Sequence, residues 1–313
     1  MEANLTAYLI FMGCGAAACV LWFFIARGRK AGFGKSAGLS ALVLVLGAVL
    51  GLVCARLGWI LLRINVFQAK DFLTLRHDEL SYYGGMAGVI LAVWLSAKLM
   101  RQPAREVLND FAPMGALMAA VARFAEYFLG MLGLGYVEEW AEAEGTLFLP
   151  AAVRISYDEE FFEFYLAVFV FSGLFSLVAM LESIAHGKEK YRFVRTLFYL
   201  CLPQILLECM RTQKISWLFV PAEQLVCYLL CEGVLVWAAV RGRKAGFRAW
   251  VPALVGLLAC GVIIAGEFAL DGKIMLGDEE YIPQWITYGV MALSLAAMAV
   301  GEHFALRRIQ AEA

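Results

Sequence analysis

Long apolar runs separated by short charged clusters set the pattern of this chain. Nine such runs fall at 6–26, 38–62, 81–99, 111–135, 161–182, 195–210, 215–240, 249–269 and 282–305. An apolar stretch of roughly 17–25 residues is enough for a helix to cross the hydrocarbon of a bilayer. The pattern predicts an all-α, polytopic transmembrane bundle of about nine spans. The sixth run is the weakest, being short, interrupted by Pro203 and bounded by Arg211.

Composition agrees with the pattern. Hydrophobic residues make up 62% of the chain and charged residues 17%. A soluble domain has about 45–50% and 25%, so lipid must cover the surplus. The basic residues alternate from one inter-span segment to the next. Arg27, Arg29, Lys30 and Lys35 follow the first run, and Lys98, Arg101 and Arg105 follow the third. Lys188, Lys190, Arg192 and Arg195 follow the fifth, Arg241, Arg243, Lys244 and Arg248 the seventh, and Arg307 and Arg308 the ninth. The other connections hold only Lys70, Arg76, Arg154, Arg211, Lys214 and Lys273. The excess of cations marks the cytoplasmic side, which places the N-terminus outside and the C-terminus inside. The opposite loops are acidic, with Glu138, Glu139, Glu142, Glu144, Asp158, Glu159, Glu160, Glu163, Asp278, Glu279 and Glu280, a pattern expected of a solvated rim.

Other classes recede. The net charge of −1 and the lack of a concentrated basic patch argue against nucleic acid as a partner. Arg27, Arg29 and Lys30 follow the first apolar run instead of preceding it, so that run reads as a retained helix and not a cleaved signal. The eight cysteines, Cys14, Cys19, Cys54, Cys201, Cys209, Cys227, Cys231 and Cys260, all fall in apolar runs without a Cys-x-x-Cys pair, as small packing residues do. No metal site is expected.

The residues that carry chemistry are polar groups inside these runs. Arg123 lies in the middle of the fourth run, where an unaccompanied arginine would cost roughly 2.5–3.5 kcal/mol. Glu126 follows one helical turn on, close enough to pair with it. The pair has two readings: a structural ion bridge, or a site for an anionic headgroup, since guanidinium is the favoured planar partner of phosphate. Ser81-Tyr82-Tyr83-Gly84-Gly85-Met86-Ala87-Gly88 opens the third run, where the glycines permit close helix approach and the tyrosines suit an interface. Further polar positions are Arg56 in the second run, Gln204 and Glu208 in the sixth, and Gln224 in the seventh. Arg56, Tyr83, Glu208 and Gln224 fall in the outer halves of their helices, so their convergence predicts a cavity facing the outer leaflet.

These segments resemble, in order, the prolipoprotein diacylglyceryl transferase family. Ala55-Arg56-Leu57-Gly58-Trp59 is similar to its Ala-Arg-Leu-Gly-Tyr, and Leu80-Ser81-Tyr82-Tyr83-Gly84-Gly85-Met86-Ala87-Gly88-Val89 to its Leu-Ser-Phe-His-Gly-Gly-Leu-Ile-Gly-Val. Asp110-Phe111-Ala112-Pro113 resembles its Asp-x-x-Ala-Pro. Arg123-Phe124-Ala125-Glu126-Tyr127-Phe128-Leu129-Gly130 is similar to the signature Arg-Ile-Gly-Asn-Phe-Ile-Asn-Gly, and Ile205-Leu206-Leu207-Glu208-Cys209-Met210-Arg211 to Phe-Ile-Ile-Glu-Phe-Phe-Arg. Gln224 fits the glutamine of the following span. Four positions depart: Tyr83 stands for histidine, Glu126 for asparagine, Met131 for glutamate and Gln204 for arginine.

The resemblance covers about residues 5–240, which implies a transferase-like membrane domain at 1–240 and an additional two-span hairpin at 241–313. The hairpin carries a weak internal echo, Gly266-Glu267-Phe268-Ala269-Leu270 against Gly301-Glu302-His303-Phe304-Ala305-Leu306. The implied reaction moves diacylglycerol from phosphatidylglycerol to the lipobox cysteine of a prolipoprotein signal peptide, with no cofactor, in a bacterial cytoplasmic (inner) membrane. The implied catalytic residues are Arg123, Tyr83, Glu208 and Glu126, with His77 a less favoured base. Arg56, Gly84, Gly85, Gly88, Gln204 and Gln224 would bind substrate. The altered positions keep open a lipid-binding homologue without transferase activity, and the intramembrane charges Arg123, Glu126 and Glu267 keep open a transporter.

Overall fold

The computed structural model describes residues 4–62, 80–129, 152–156, 162–187, 189–211, 216–217, 220–276 and 280–311. Nine α-helices occur among them: α1 Leu5–Ala31, α2 Phe33–Leu62, α3 Tyr82–Leu99, α4 Ala104–Ala125, α5 Val168–Ala185, α6 Arg192–Leu207, α7 Ala222–Arg241, α8 Val251–Leu270 and α9 Gln284–Ala311. All but α4 are long and apolar enough to cross a membrane, α6 being counted with the 3-10 turn Glu208–Met210 that extends it. The protein is an all-α, multi-pass membrane protein. Three short antiparallel hairpins join helices: β1 Ala152–Ser156 with β2 Phe162–Leu166, β3 Ser216–Trp217 with β4 Val220–Pro221, and β5 Met275–Leu276 with β6 Glu280–Tyr281.

The fourth expected span, 111–135, differs from the helix found. α4 starts earlier, at Ala104, and gives way at Glu126 to a 3-10 turn, Glu126–Leu129. Residues 130–135 lie outside the described residues, as do Lys70, Arg76, His77, Met131, Glu138, Glu139, Glu142, Glu144, Asp158, Glu159, Glu160, Lys188, Lys214, Asp278 and Glu279. α4 also carries Arg105, Glu106, Asp110 and Arg123. It can do so because α1, α3 and α5 all pack against it. A helix whose neighbours are protein need not be apolar all round.

The chain divides into two compact units, residues 1–187 with 210–215, and 188–209 with 216–313. In the first, Cys19, Phe23, Leu39, Val43, Val93, Val107, Phe111 and Met114 form an apolar core across α1–α4. α2 and α3 run antiparallel at very close range. A Cβ on Gly84 would collide with the Cys54 carbonyl, and one on Gly88 with the Leu50 carbonyl and Gly51 Cα. Small residues here let two backbones touch, the usual device where lipid supplies no hydrophobic drive between helices.

At the other end of α3, Arg101 takes a left-handed conformation (φ 53°). Its N–H donates to Lys98 O and that of Gln102 to Ala97 O at 2.8 Å, which closes the helix in a Schellman motif. The turn brings Gln102 to Arg27, whose Nη2 donates to Gln102 Oε1 at 2.9 Å and whose Nη1 reaches Asp110 Oδ2 at 2.6 Å. Lys30 approaches the other Asp110 oxygen at 2.5 Å. Asp110 thus ties α1 to α4 through two cations, which offsets the cost of burying Arg27.

In the second unit, α6, α7 and α9 meet around Tyr191, Ala238, Ala305, Leu306 and Ile309, with the Tyr191 and Trp237 rings edge to face at 5.1 Å. Arg195 of α6 is buried. It meets Glu302 of α9 (Nε to Oε1, 3.4 Å) and Glu189 (Nη1 to Oε1, 3.0 Å), and the Tyr199 hydroxyl donates to the second Glu302 oxygen at 3.4 Å.

Candidate functional site

The polar centre of the first unit forms around Arg123, in the last turn of α4. Its side chain is 2% exposed. Three aligned groups hold it. Nη1 meets Glu126 Oε1 at 2.6 Å, Nη2 donates to the Tyr83 hydroxyl at 3.1 Å, and the guanidinium carbon lies 3.8 Å from the centre of the Tyr82 ring. The two tyrosine rings stand edge to face at 5.1 Å. An ion pair, a phenol and a ring face together replace the water that a guanidinium would otherwise require. The plane and direction of the guanidinium are therefore fixed before any ligand arrives.

Local structure explains how the groups converge. Ser81 caps α3, its side chain accepting from Gly84 N–H at 3.2 Å, while its own N–H donates to the Ala55 carbonyl at 2.9 Å. This registers the start of α3 on the stretch of α2 that holds Ala55 and Arg56. The absence of side chains at Gly84 and Gly88 then lets α3 settle onto α2. Gly85 has looser surroundings, 3.7 Å from a placed Cβ to the Ala55 methyl. Tyr82 and Tyr83, adjacent in the first turn of α3, approach Arg123 from different sides. Arg56 is buried, with its guanidinium 4.8 Å from the Trp59 ring. Beyond α4, Glu126 sits in the 3-10 turn and has a second cation: Arg211 Nη2 lies 3.6 Å from Glu126 Oε2. One carboxylate is thus shared by two arginines, Arg123 fully enclosed and Arg211 somewhat more open.

The structure brings together Arg123, Tyr83 and Glu126 of the expected site, and places Arg56, Gly84, Gly85 and Gly88 on the adjoining α2–α3 contact. Gln204, Glu208 and Gln224 belong to the second unit, where all three are buried. There Gln224 Nε2 donates to the Ile205 carbonyl at 2.9 Å and contacts Cys209 Sγ at 3.0 Å, joining the start of α7 to the end of α6 beside Glu208. Sequence reasoning treated Tyr82 as one of a pair of interfacial rings and gave it no part with Arg123. It also counted Arg211 among the outer-loop cations and as the last residue of the Ile205–Arg211 segment, and gave it no part with Glu126. The available signal for Tyr82 was its place next to Tyr83 on a turn whose neighbouring helix carries a buried cation. No signal of spacing links Arg211 to Glu126, because the contact joins segments far apart in the chain. Among the described residues, no group of three or more His, Cys, Asp or Glu side chains is arranged to hold a metal.

Comparison with known proteins meets the same residues. The sequence profile of the prolipoprotein diacylglyceryl transferase family matches residues 2–240, which include every group just described around Arg123. A phosphatidylglycerol–prolipoprotein diacylglyceryl transferase from Cupriavidus necator is 33% identical over 91 residues, 28% of this chain and 32% of that protein. The match therefore spans about a third of that relative's length. No solved structure matches. With its profile match running through α1–α7, the chain belongs to the prolipoprotein diacylglyceryl transferase family.

Proposed function

We propose that the protein transfers the diacylglyceryl group of phosphatidylglycerol to the thiol of a lipobox cysteine in a prolipoprotein signal peptide, within a bacterial cytoplasmic membrane. The observation that carries this reading is the enclosed, pre-oriented guanidinium of Arg123 between Tyr82, Tyr83 and Glu126. The reaction forms a bond between sulfur and a glyceryl carbon and breaks the bond from that carbon to a phosphate oxygen. Glycerol phosphate leaves with the electron pair, and the thiol proton goes to a base. Two demands follow: positive charge fixed where the phosphate gains charge, and a proton acceptor near the thiol.

Arg123 meets the first demand. Its grip on Tyr83 and Tyr82 keeps it oriented while Glu126, which also has Arg211 for a partner, yields a place on Nη1 to phosphate. Arg56 supports the headgroup from α2. Glu126 is the candidate base beside Arg123, and Tyr83 orients the arginine, since a phenol is a poor base near neutrality. The Glu126–Arg123 contact also favours a second reading, a homologue that binds phosphatidylglycerol and does not transfer it, because the carboxylate already occupies the phosphate's place.

The deciding experiment incubates purified protein with labelled phosphatidylglycerol and a lipobox peptide. Lipidated peptide made by the unmutated protein and not by Arg123→Ala supports the transferase. Phosphatidylglycerol retained without any product overturns it in favour of the binding protein.

A further inference from the structure

The segment between α7 and α8 has a different chemistry from the rest of the second unit. It is short and links two helices that are each long and apolar enough to cross a membrane, so it must lie at the membrane surface. Arg243, Lys244 and Arg248 are exposed on it, and Arg241 is exposed at the end of α7 just before it. Two aromatic rings are exposed among them, Phe247 at 72% and Trp250 at 41%. Gly246, at φ 62° and ψ −140°, provides the backbone reversal that separates Lys244 from Phe247. The end of α9 adds two more cations. Arg308 Nη1 donates to the Arg248 carbonyl at 2.7 Å, and a Cβ placed on Gly242 would lie 3.7 Å from Arg308 Cδ. Arg307 is exposed beside it. α8 and α9, which the family profile does not reach, thus complete a basic surface with aromatic anchors.

We propose that this end of the second unit is a docking surface for the anionic phospholipid headgroups of the adjoining leaflet. Exposed rings at a bilayer boundary seat themselves at headgroup depth, which holds the six guanidinium and ammonium groups level with lipid phosphates. Each cation near an anionic surface favours its lipids by about fivefold at physiological salt. Simple alternation of loop charge does not require exposed rings between the cations, nor a second helix end brought against the same loop. The proposal does not depend on the transferase reading.

Phosphatidylserine tests it, because its headgroup differs from the one assigned to the Arg123 site. Full-length protein in micelles doped equally with phosphatidylserine and phosphatidylcholine is examined by native mass spectrometry for the lipid it retains. The unmutated protein should prefer phosphatidylserine, and Arg243→Gln/Lys244→Gln/Arg248→Gln should lower the preference at least about tenfold. A control, Lys273→Gln, removes an exposed cation just past the other end of α8 and should leave it unchanged. Raising the salt on unmutated protein should abolish the preference, a result independent of any variant's folding. An equal loss in the control, the same preference in the triple variant, or insensitivity to salt would each overturn the proposal.

Discussion

The Tyr82 ring lies under the Arg123 guanidinium at 3.8 Å, nearer than the Tyr83 ring at 5.6 Å, while the Tyr83 hydroxyl accepts a hydrogen bond from that arginine at 3.1 Å. The two neighbours thus do different things. One offers a π face to the charge and the other a hydroxyl to its edge. Removing the face while keeping the edge should be measurable. A cation–π contact away from water contributes about 0.5–2 kcal/mol, so Tyr82→Ala should reduce transfer by up to about thirtyfold. Tyr82→Phe, which keeps the ring, should stay close to the unmutated rate. Initial rates against phosphatidylglycerol concentration check this, and equal losses in both variants would refute a role for the ring.

Arg123→Lys keeps the charge and loses the planar fork that reaches Glu126 and Tyr83 together. Losing one fixed donor to developing charge typically costs 10²–10³ in rate. The expected result is a fall of about 100-fold in transfer with the thermal unfolding temperature little changed. A lysine enzyme of normal rate would show that charge alone suffices.

Glu126→Gln separates the two readings of the site. The amide keeps the shape of the side chain and cannot act as a base. Transfer should fall by about 100-fold or more if Glu126 takes the proton, while phosphatidylglycerol retention should rise because Arg123 no longer faces a carboxylate. Unchanged transfer would exclude Glu126 as the base.

Gly88→Ala forces a methyl group against the Leu50 carbonyl, a backbone atom that cannot rotate away. Overpacking of this kind costs about 1–3 kcal/mol. Gly47→Ala is the control on α2, since no atom lies within 4 Å of the added Cβ. Thermal unfolding in detergent should show a clear loss for the first and none for the second.

Glu302→Ala removes the α9 partner of buried Arg195 and leaves Glu189 in place. Stranding one member of a buried pair costs roughly 3–5 kcal/mol, and the remaining carboxylate should keep the loss to about 3 kcal/mol. Glu302→Gln should lose less, because the Tyr199 hydroxyl retains an acceptor. Unfolding curves for the two variants decide it.

The all-helical fold was legible in the apolar runs because lipid enforces one rule along every span. The α4 boundary was not legible there. Phe111–Gly135 looks like a span by hydropathy, yet α4 reaches back through Asp110 and Glu106 to Ala104, since α1 supplies Arg27 and Lys30 against Asp110. Hydropathy registers a charge and not its partner. The pairing of Arg123 with Glu126 was legible because three residues make one helical turn. Tyr82 under Arg123 and Arg211 beside Glu126 depend on contacts between elements, which no local spacing encodes.

The Arg195–Glu302 contact also bears on how the protein is made. A ribosome delivers α6 first, then α7 and α8, and only afterwards α9, so Arg195 is present before Glu302 has been synthesised. During that interval its carboxylate neighbour is Glu189, a few residues upstream. The first part of the second unit is therefore made with the Arg195–Glu189 pair already available, and Glu302 joins it as a second carboxylate when α9 arrives. α9 thus docks against a cation that an earlier part of the chain already holds in place.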